Sequence, residues 1–180
     1  MAYLDEDEDE EDEDSEQGDD EDGDDAGAPR LDDGTTLVVR ALSSEREWRF
    51  EAVVEYAFSA DGTALFYTAS GTDGAADGVF RVDDEGASEA VSTGEGRYVD
   101  LAVSDDGTVA FLTDRDDRDD EAPDFALYVS TDGGATSRAG TTAPGLPAGW
   151  APSENGDVSF SEAGSRVFFG ATSAPEPESK

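Results

Sequence analysis

Three segments of the chain repeat one pattern of apolar and polar positions. In each, an apolar run ends in a serine, a short acidic or small-residue turn follows with a glycine, and a second apolar run leads back. Glycine at that place supplies the positive φ of a tight turn, so each copy predicts a β-hairpin. The three copies are residues 56–68, 101–113 and 158–170.

The spacing of the hairpins indicates a repeat architecture. The turn glycines Gly62, Gly107 and Gly164 are 45 and 57 residues apart. That spacing is close to the period of a four-stranded propeller blade, with one lengthened loop. A single blade cannot bury both of its faces, so neighbouring blades must complete the core.

Alternating patterns outside the hairpins predict further strands. Trp48 and Phe50 share one face of a short run, which pairs with the run before it as the outer part of a first, incomplete blade. No segment has helical periodicity with caps, so a helical fold has little support. Additional strands are predicted at residues 36–42, 47–52, 78–83, 88–92 and 125–130.

We therefore expect an all-β fold, a partial β-propeller of four-stranded antiparallel blades with a disordered acidic N-terminal segment. Its expected segments are an acidic disordered stretch at 1–33, a partial blade at 34–52, full blades at 53–97 and 98–142, a partial blade at 143–173 and a tail at 174–180.

The N-terminal segment is almost entirely acidic. From Asp5 to Asp25 it holds seventeen acidic residues, no basic residue and no apolar residue, so nothing offsets the entropy of ordering it. A solvated charge run is the favoured interpretation. The alternatives are a calcium-attracting tail, a mimic that binds basic proteins, and a solubilising insert.

The formal net charge of −36 limits the partners. A chain this acidic is repelled by phosphate backbones and anionic lipids, which excludes nucleic acid and membrane surfaces as partners. Acid-rich surfaces with a single lysine, Lys180, are typical of proteins that work in high salt, so we expect a halophilic source.

The compartment is not determined by the sequence. No cysteine is present, so neither a disulfide framework nor a thiolate metal site is expected. There is no signal peptide and no apolar run long enough for a transmembrane segment, which predicts a soluble chain. Tyr3 and Leu4 resemble the end of a strand whose beginning lies upstream. The expected location is cytoplasmic, or periplasmic if the natural start is missing.

The Ser-x-Asp-Gly hairpins resemble the WD40-type propeller repeats of TolB-like proteins and of prolyl-oligopeptidase-class serine peptidases. Three further segments look like a bacterial dipeptidyl or acylaminoacyl peptidase branch, and the resemblance covers roughly residues 34–175. It implies a propeller that caps a C-terminal α/β-hydrolase domain and filters peptide substrates. The segments are DGAADGVF at 73–80, PGLPAGW at 144–150 and ENGDVSFS at 154–161.

Catalytic chemistry is not expected from these residues alone. A Ser-His-Asp triad needs an imidazole, and the sequence has neither a histidine nor a Gly-x-Ser-x-Gly elbow. In the dipeptidyl branch two adjacent glutamates grip the substrate amine, but the pair Glu10 and Glu11 lies in the acidic run and does not take that role. We therefore assign no catalytic, cofactor-binding or metal residue, and no cofactor.

One loop deserves a test as a calcium site. Carboxylates suit a hard cation, but the EF-hand pattern that starts at Asp114 and Asp116 breaks at Arg118 and lacks the turn glycine. A solvated loop with local arginine pairing is favoured over a weak cation site. Nothing selects two carboxylates for glycoside hydrolysis. The loop carboxylates are Asp114, Asp116, Asp117, Asp119 and Asp120.

The strand aromatics are expected in the core, because alternate strand positions pack between sheets. They are Tyr56, Phe58, Phe66, Tyr67, Phe111, Trp150, Phe160, Phe168 and Phe169.

Two hypotheses for function follow from the pattern and the resemblance. The first is a non-catalytic propeller segment of a prolyl-oligopeptidase-like serine peptidase, gating peptide access to a hydrolase domain absent from this chain. Its partners are then the missing blades and that C-terminal domain. The alternative is a TolB-like propeller that acts as a protein-interaction scaffold.

Overall fold

The computed structural model describes residues 34–72, 74–120, 122–131 and 134–173. Within these ranges every regular element is a β-strand, and no helix occurs. The predicted all-β class is therefore confirmed. The acidic segment 1–33 and the tail 174–180 lie outside the described residues, as do Glu10 and Glu11.

Five strands form the first sheet, in which each strand pairs antiparallel with the next along the chain. They are β1 (Thr35–Arg40), β2 (Glu47–Phe58), β3 (Leu65–Ala69), β4 (Gly78–Val82) and β5 (Ser88–Thr93). The predicted strands at 78–83 and 88–92 are confirmed as β4 and β5.

The long strand β2 pairs with two neighbouring strands. Its first part pairs with β1 and its last part pairs with β3, with irregular register at residues 50–53 against β1 and at residues 53–55 against β3. Ala52 has φ of +57°, a conformation that bends the strand at a bulge. The chain thus continues as one strand across residues 52 and 53, where the sequence placed a segment boundary.

The second sheet and a third unit follow. The second sheet contains β6 (Tyr98–Val103), β7 (Val109–Thr113), β8 (Ala126–Ser130) and β9 (Ala135–Ala139), in sequential order. The third unit consists of β10 (Trp150–Pro152), β11 (Ser159–Phe160), β12 (Val167–Phe168) and β13 (Ala171–Ser173), with β11 paired to β12 and β10 to β13. All three predicted hairpins are confirmed, although the chain continues past Gly170 into β13.

The hairpins differ by one residue in how they close. The amide of Ser59 donates to the carbonyl of Ala64, five residues on, whereas the amide of Ser104 donates to Thr108, four residues on. Residues after the second turn are therefore shifted by one relative to a letter-by-letter alignment of the repeats. Phe111 takes the place of Tyr67 in the first sheet, although its letter aligns with Phe66.

Matching rows of aromatic rings support that register. In the first sheet the centroid of the Tyr67 ring lies 5.3 Å from that of Phe50 and 5.1 Å from that of Phe80. In the second sheet the Phe111 centroid lies 5.9 Å from that of Tyr98 and 5.7 Å from that of Tyr128. Within each row the last two rings belong to directly paired residues, Tyr67 with Phe80 and Phe111 with Tyr128. The rows are Phe50, Tyr67 and Phe80, and Tyr98, Phe111 and Tyr128.

The sheets pack face to face, and each sheet turns the same one of its two faces toward the next sheet along the chain. The face of the first sheet opposite its aromatic row, with Ala64, Phe66 and Val79, packs on the aromatic row of the second sheet. The opposite face of the second sheet, with Ala110 and Leu112, packs on the third unit. Each sheet thus presents the equivalent face to the next one along the chain.

The expectation that all strand aromatics are core residues is wrong at four positions. Phe66, Tyr67 and Phe111 are buried, but side chains at the two ends of the stack are not. Tyr56 and Phe58 pair with Tyr67 and Leu65, so they share the face of the first sheet turned away from the second. The exposed aromatics are Tyr56 (58%), Phe58 (53%), Trp150 (39%) and Phe168 (54%).

The packing of Trp48 on the turn between β4 and β5 gives a stability prediction. Gly86 in that turn has φ of +87°, and a methyl group there would overlap the indole ring of Trp48. We expect Gly86→Ala to lower the free energy of unfolding by about 3 kcal/mol, because left-handed strain and overlap add.

Gly62→Ala is the matched control. Gly62 has φ of +70°, but the space around its Cα is open, so only the backbone strain of about 1 kcal/mol applies. Urea unfolding followed by tryptophan fluorescence measures both variants. Equal losses for the two would show that Trp48 does not hold the turn.

Candidate functional site

The acidic residue of each Ser-x-Asp turn is engaged by the turn itself. Asp61 accepts hydrogen bonds from the Thr63 amide at 3.0 Å and from the Ser59 hydroxyl at 2.7 Å, which lower the pKa of Asp61 to about 2. Asp106 accepts from the Ser104 hydroxyl at 2.5 Å, and the same type of contact lowers its pKa. These carboxylates stabilise the turns and are not a free pair for acid–base chemistry.

A cleft of about 590 Å³ lies between the first two turns. The first sheet contributes Arg81 and Glu89 to its wall, and the second sheet contributes Asp105 and Ser130. The lining has acceptors and one cation, but no imidazole or thiol that could activate a nucleophile near neutral pH. The cleft can hold a polar group by hydrogen bonding.

Three carboxylates recur at one motif position that the sequence interpretation passed over. Glu55, Asp100 and Asp157 each lie four residues before the serine of a hairpin motif, a signal readable from the sequence. The Glu55 carboxylate accepts the Leu101 amide at 3.0 Å and the Asp100 amide at 3.4 Å. A side chain of the first sheet therefore binds the backbone of the first strand of the second sheet.

Of these three carboxylate residues, Asp100 has an unusual backbone conformation and a buried side-chain oxygen. Its φ is +56°, and its buried Oδ2 atom has no hydrogen-bond partner. Burial, together with the nearby charges of Glu55 and Asp157, raises the pKa of Asp100 to about 6. Ionisation of Asp100 thus opposes the folded state near neutral pH.

The loop tested as a calcium site is held by arginines and backbone groups. Asp114 is 1% exposed and accepts the Arg97 amide at 2.7 Å, with Arg118 Nη1 at 3.6 Å from its other oxygen. Asp116 pairs with Arg115 at 3.3 Å. The predicted arginine pairing is present, but Asp114 is buried where the sequence predicted a solvated carboxylate. Across the described ranges, no three acidic side chains converge to hold a metal ion.

Two arginines tie successive sheets together. Arg115 lies over the Tyr128 ring at 4.6 Å and donates to the Ser92 hydroxyl of the first sheet at 2.5 Å. Arg97 lies over the Phe125 ring at 4.9 Å and pairs with Glu154, just after β10 of the third unit. The sequence shows these arginines only as rare cations in an acidic chain, so their pairing required the structure.

The described arrangement positions one sheet on the next. A Ser-His-Asp triad cannot be assembled, because the whole sequence has no histidine. No protein-family model, curated protein or solved structure matches the chain. In the described ranges, no helix has the length and apolar character needed to cross a membrane.

Asp100 generates a prediction for the pH dependence of stability. Its pKa is about 6 in the folded chain and 3.8 in an unfolded chain, so the folded state binds the proton more tightly. This group therefore adds stability as pH falls through 6 and removes it as pH rises. We expect Asp100→Asn to be more stable than the parent by about 1 kcal/mol at pH 7.5, given partial solvent screening, and equal to it near pH 4.

Chemical unfolding at several pH values measures that difference. Asp105→Asn, which removes an exposed carboxylate five residues away, controls for the change in net charge. A constant stability difference between Asp100→Asn and the parent from pH 4 to 7.5 would contradict the burial of Asp100 as the cause.

Proposed function

We propose that the chain supplies successive blades of a β-propeller and acts without catalysis, as a module that controls access to a partner domain. The observation that carries the proposal is the repeated packing arrangement: each sheet turns an equivalent face to the next. Such packing can continue indefinitely until a ring closes, and closed rings of four to eight blades are the common solution.

The open ends of the stack support the same proposal. Tyr56 and Phe58 at one end and Phe168 at the other are more than half exposed. Tyr56 and Phe58 lie on the face that carries the buried side chains of Leu65 and Tyr67. Exposed aromatic pairs of this kind mark surfaces that another element covers. A further sheet of the same type would bury Phe168, whereas the face with Tyr56 and Phe58 is already partly covered by the β1–β2 hairpin.

In the favoured version of this function, the propeller gates peptide access to an α/β-hydrolase domain of a prolyl-oligopeptidase-like serine peptidase. The resemblance of the hairpins and of residues 144–161 supports it, and this version places the bond-breaking chemistry in a domain outside this chain, since the chain has no histidine. The polar cleft between the first two turns fits a role in transient contact with peptide groups.

A TolB-like interaction scaffold is the second candidate. The observation that favours it is the set of cross-links between sheets, in which Arg97, Arg115 and Glu55 each join one sheet to another. Rigid coupling of this kind suits a platform for protein binding and requires no hydrolase.

Labelling of the native gene product separates the two functions. An antibody against this chain would isolate the product from its source, and a fluorophosphonate probe would report a reactive serine. The peptidase function requires labelling of an immunoreactive polypeptide or of one tightly bound to it. An unlabelled product with stoichiometric bound proteins would support the scaffold and contradict the gating function.

We also propose that the chain works at high salt, since the negative side chains behind its net charge of −36 repel one another in the compact state. We expect the free energy of unfolding to rise with KCl up to about 1 M, where the Debye length is ~3 Å. Urea unfolding at increasing KCl, with sucrose as an uncharged comparison, measures this. A response to sucrose alone would contradict charge screening as the cause.

A further inference from the structure

The cleft between the first two turns contains a buried hydroxyl that the protein leaves without a partner. Ser130, the last residue of β8, is 4% exposed and lines the cleft. It lies two residues after Tyr128, so its side chain shares the strand face that packs on the first sheet. Among the described residues, no group forms a hydrogen bond with the Ser130 hydroxyl. A hydroxyl in this position can bind a group that enters the cleft.

Part of the cleft wall is apolar. Phe66 and Val91 of the first sheet and Val109 of the second sheet are buried and belong to the lining. Val109 is the direct ladder partner of Ser130. The volume of about 590 Å³ lies within the range of about 300–1,000 Å³ that is usual for ligand sites. An alkyl chain can therefore lie against these side chains with a polar group near Ser130.

The charged part of the lining is predominantly acidic. Arg81 and Glu89 are directly opposite each other in the ladder between β4 and β5, so their charges offset one another. Three further carboxylates line the cleft, from Asp61 of the first sheet and from Asp105 and Asp106 of the second. The lining is therefore net negative, and a cleft of one sign attracts a ligand of the opposite charge.

Two of these carboxylates are held in place by their own turns. In the described part of the chain, the hydrogen bonds that reach Asp61 and Asp106 all fall on Oδ1. These bonds lower the pKa of both carboxyl groups, so both stay ionised near neutral pH. Oδ2 of each is left to accept a hydrogen bond from a cation.

We propose that the cleft binds a guanidinium or ammonium group on an apolar stem, as carried by an arginine or lysine side chain of a peptide. The stem packs on Phe66 and Val109, and the cation meets the carboxylates of Asp61 and Asp105 and donates to the Ser130 hydroxyl. The inference deepens the proposed gating function, on which the choice of a peptide as the source of the cation rests.

Titration of the full chain with short probes tests the site. The probes are a blocked Ala-Arg-Ala tripeptide, the same tripeptide with neutral citrulline in place of arginine, and agmatine as a free guanidinium. Amide chemical shifts of the ¹⁵N-labelled chain give both the dissociation constant and the place of binding. The titrations are run in about 1 M KCl, where the Debye length of ~3 Å screens attraction to the rest of the acidic chain.

We expect the arginine tripeptide and agmatine to shift the amides of residues 105–107 and 130–131, and the citrulline tripeptide to bind at least tenfold more weakly. Ser130→Ala removes a hydroxyl that no described group uses, so the fold should be retained. Its dissociation constant for the arginine tripeptide should rise about tenfold, as for the loss of one hydrogen bond to a charged group.

A pair of charge variants separates the cleft from the general acidity of the chain. Asp105→Asn should weaken binding about threefold, since an exposed ion pair is lost. Asp84→Asn is the matched control, because Asp84 is an exposed aspartate in the turn between β4 and β5 and is not part of the cleft lining. This control should bind the arginine tripeptide as tightly as the parent.

Equal binding of the arginine and citrulline tripeptides would overturn the inference, as would an unchanged dissociation constant in Ser130→Ala. Shifts confined to residues 5–25 would show adventitious attraction to the acidic segment and would also overturn it. Binding of agmatine without the tripeptide would rule out a peptide as the source. Each of these failures would leave the proposed function standing, since labelling of the native product tests that function separately.

Discussion

The burial of apolar side chains on both faces of each sheet is the constraint on which this fold depends. An antiparallel sheet with one polar face can end against water, but these strands have apolar residues on either side. Val79, Phe111 and Leu112 reach complete burial only because a second sheet lies against each face. The hydrophobic effect therefore sets the number of sheets as well as the strand pairing.

Electrostatics acts on this packing in two opposite ways. Asp61 and Asp106 are bound by their own turns, so their ionised forms stabilise the hairpins. Asp100 lies between Glu55 and Asp157 where the sheets meet, and its ionised form weakens that junction. Aspartates thus stabilise the hairpin turns in two places and destabilise the contact between the sheets in a third. The difference arises because Asp61 and Asp106 accept hydrogen bonds from their turns, whereas Asp100 is buried beside two other carboxylates.

Local chemistry made the hairpins predictable, and long-range packing made the rest invisible in the sequence. A serine and a glycine three residues apart, with an acidic residue between them, define each turn, so the hairpins β2–β3, β6–β7 and β11–β12 are predictable from the sequence. Strand β9, with the sequence ATSRA, has little apolar pattern and forms because β8 offers it an edge. The exposure of Tyr56 and Phe168 depends on which sheets are adjacent, which strand periodicity does not encode.

The bend at Ala52 has a mechanical consequence. Because β2 belongs to two ladders at once, the β1 hairpin cannot detach as a separate flap without pulling on the strand that anchors β3. A load applied at residue 35 would pass along one continuous backbone to Glu55 and from there to the amides of the second sheet. The β1–β2 hairpin is thus mechanically coupled, through β2 and Glu55, to the contact between the first and second sheets.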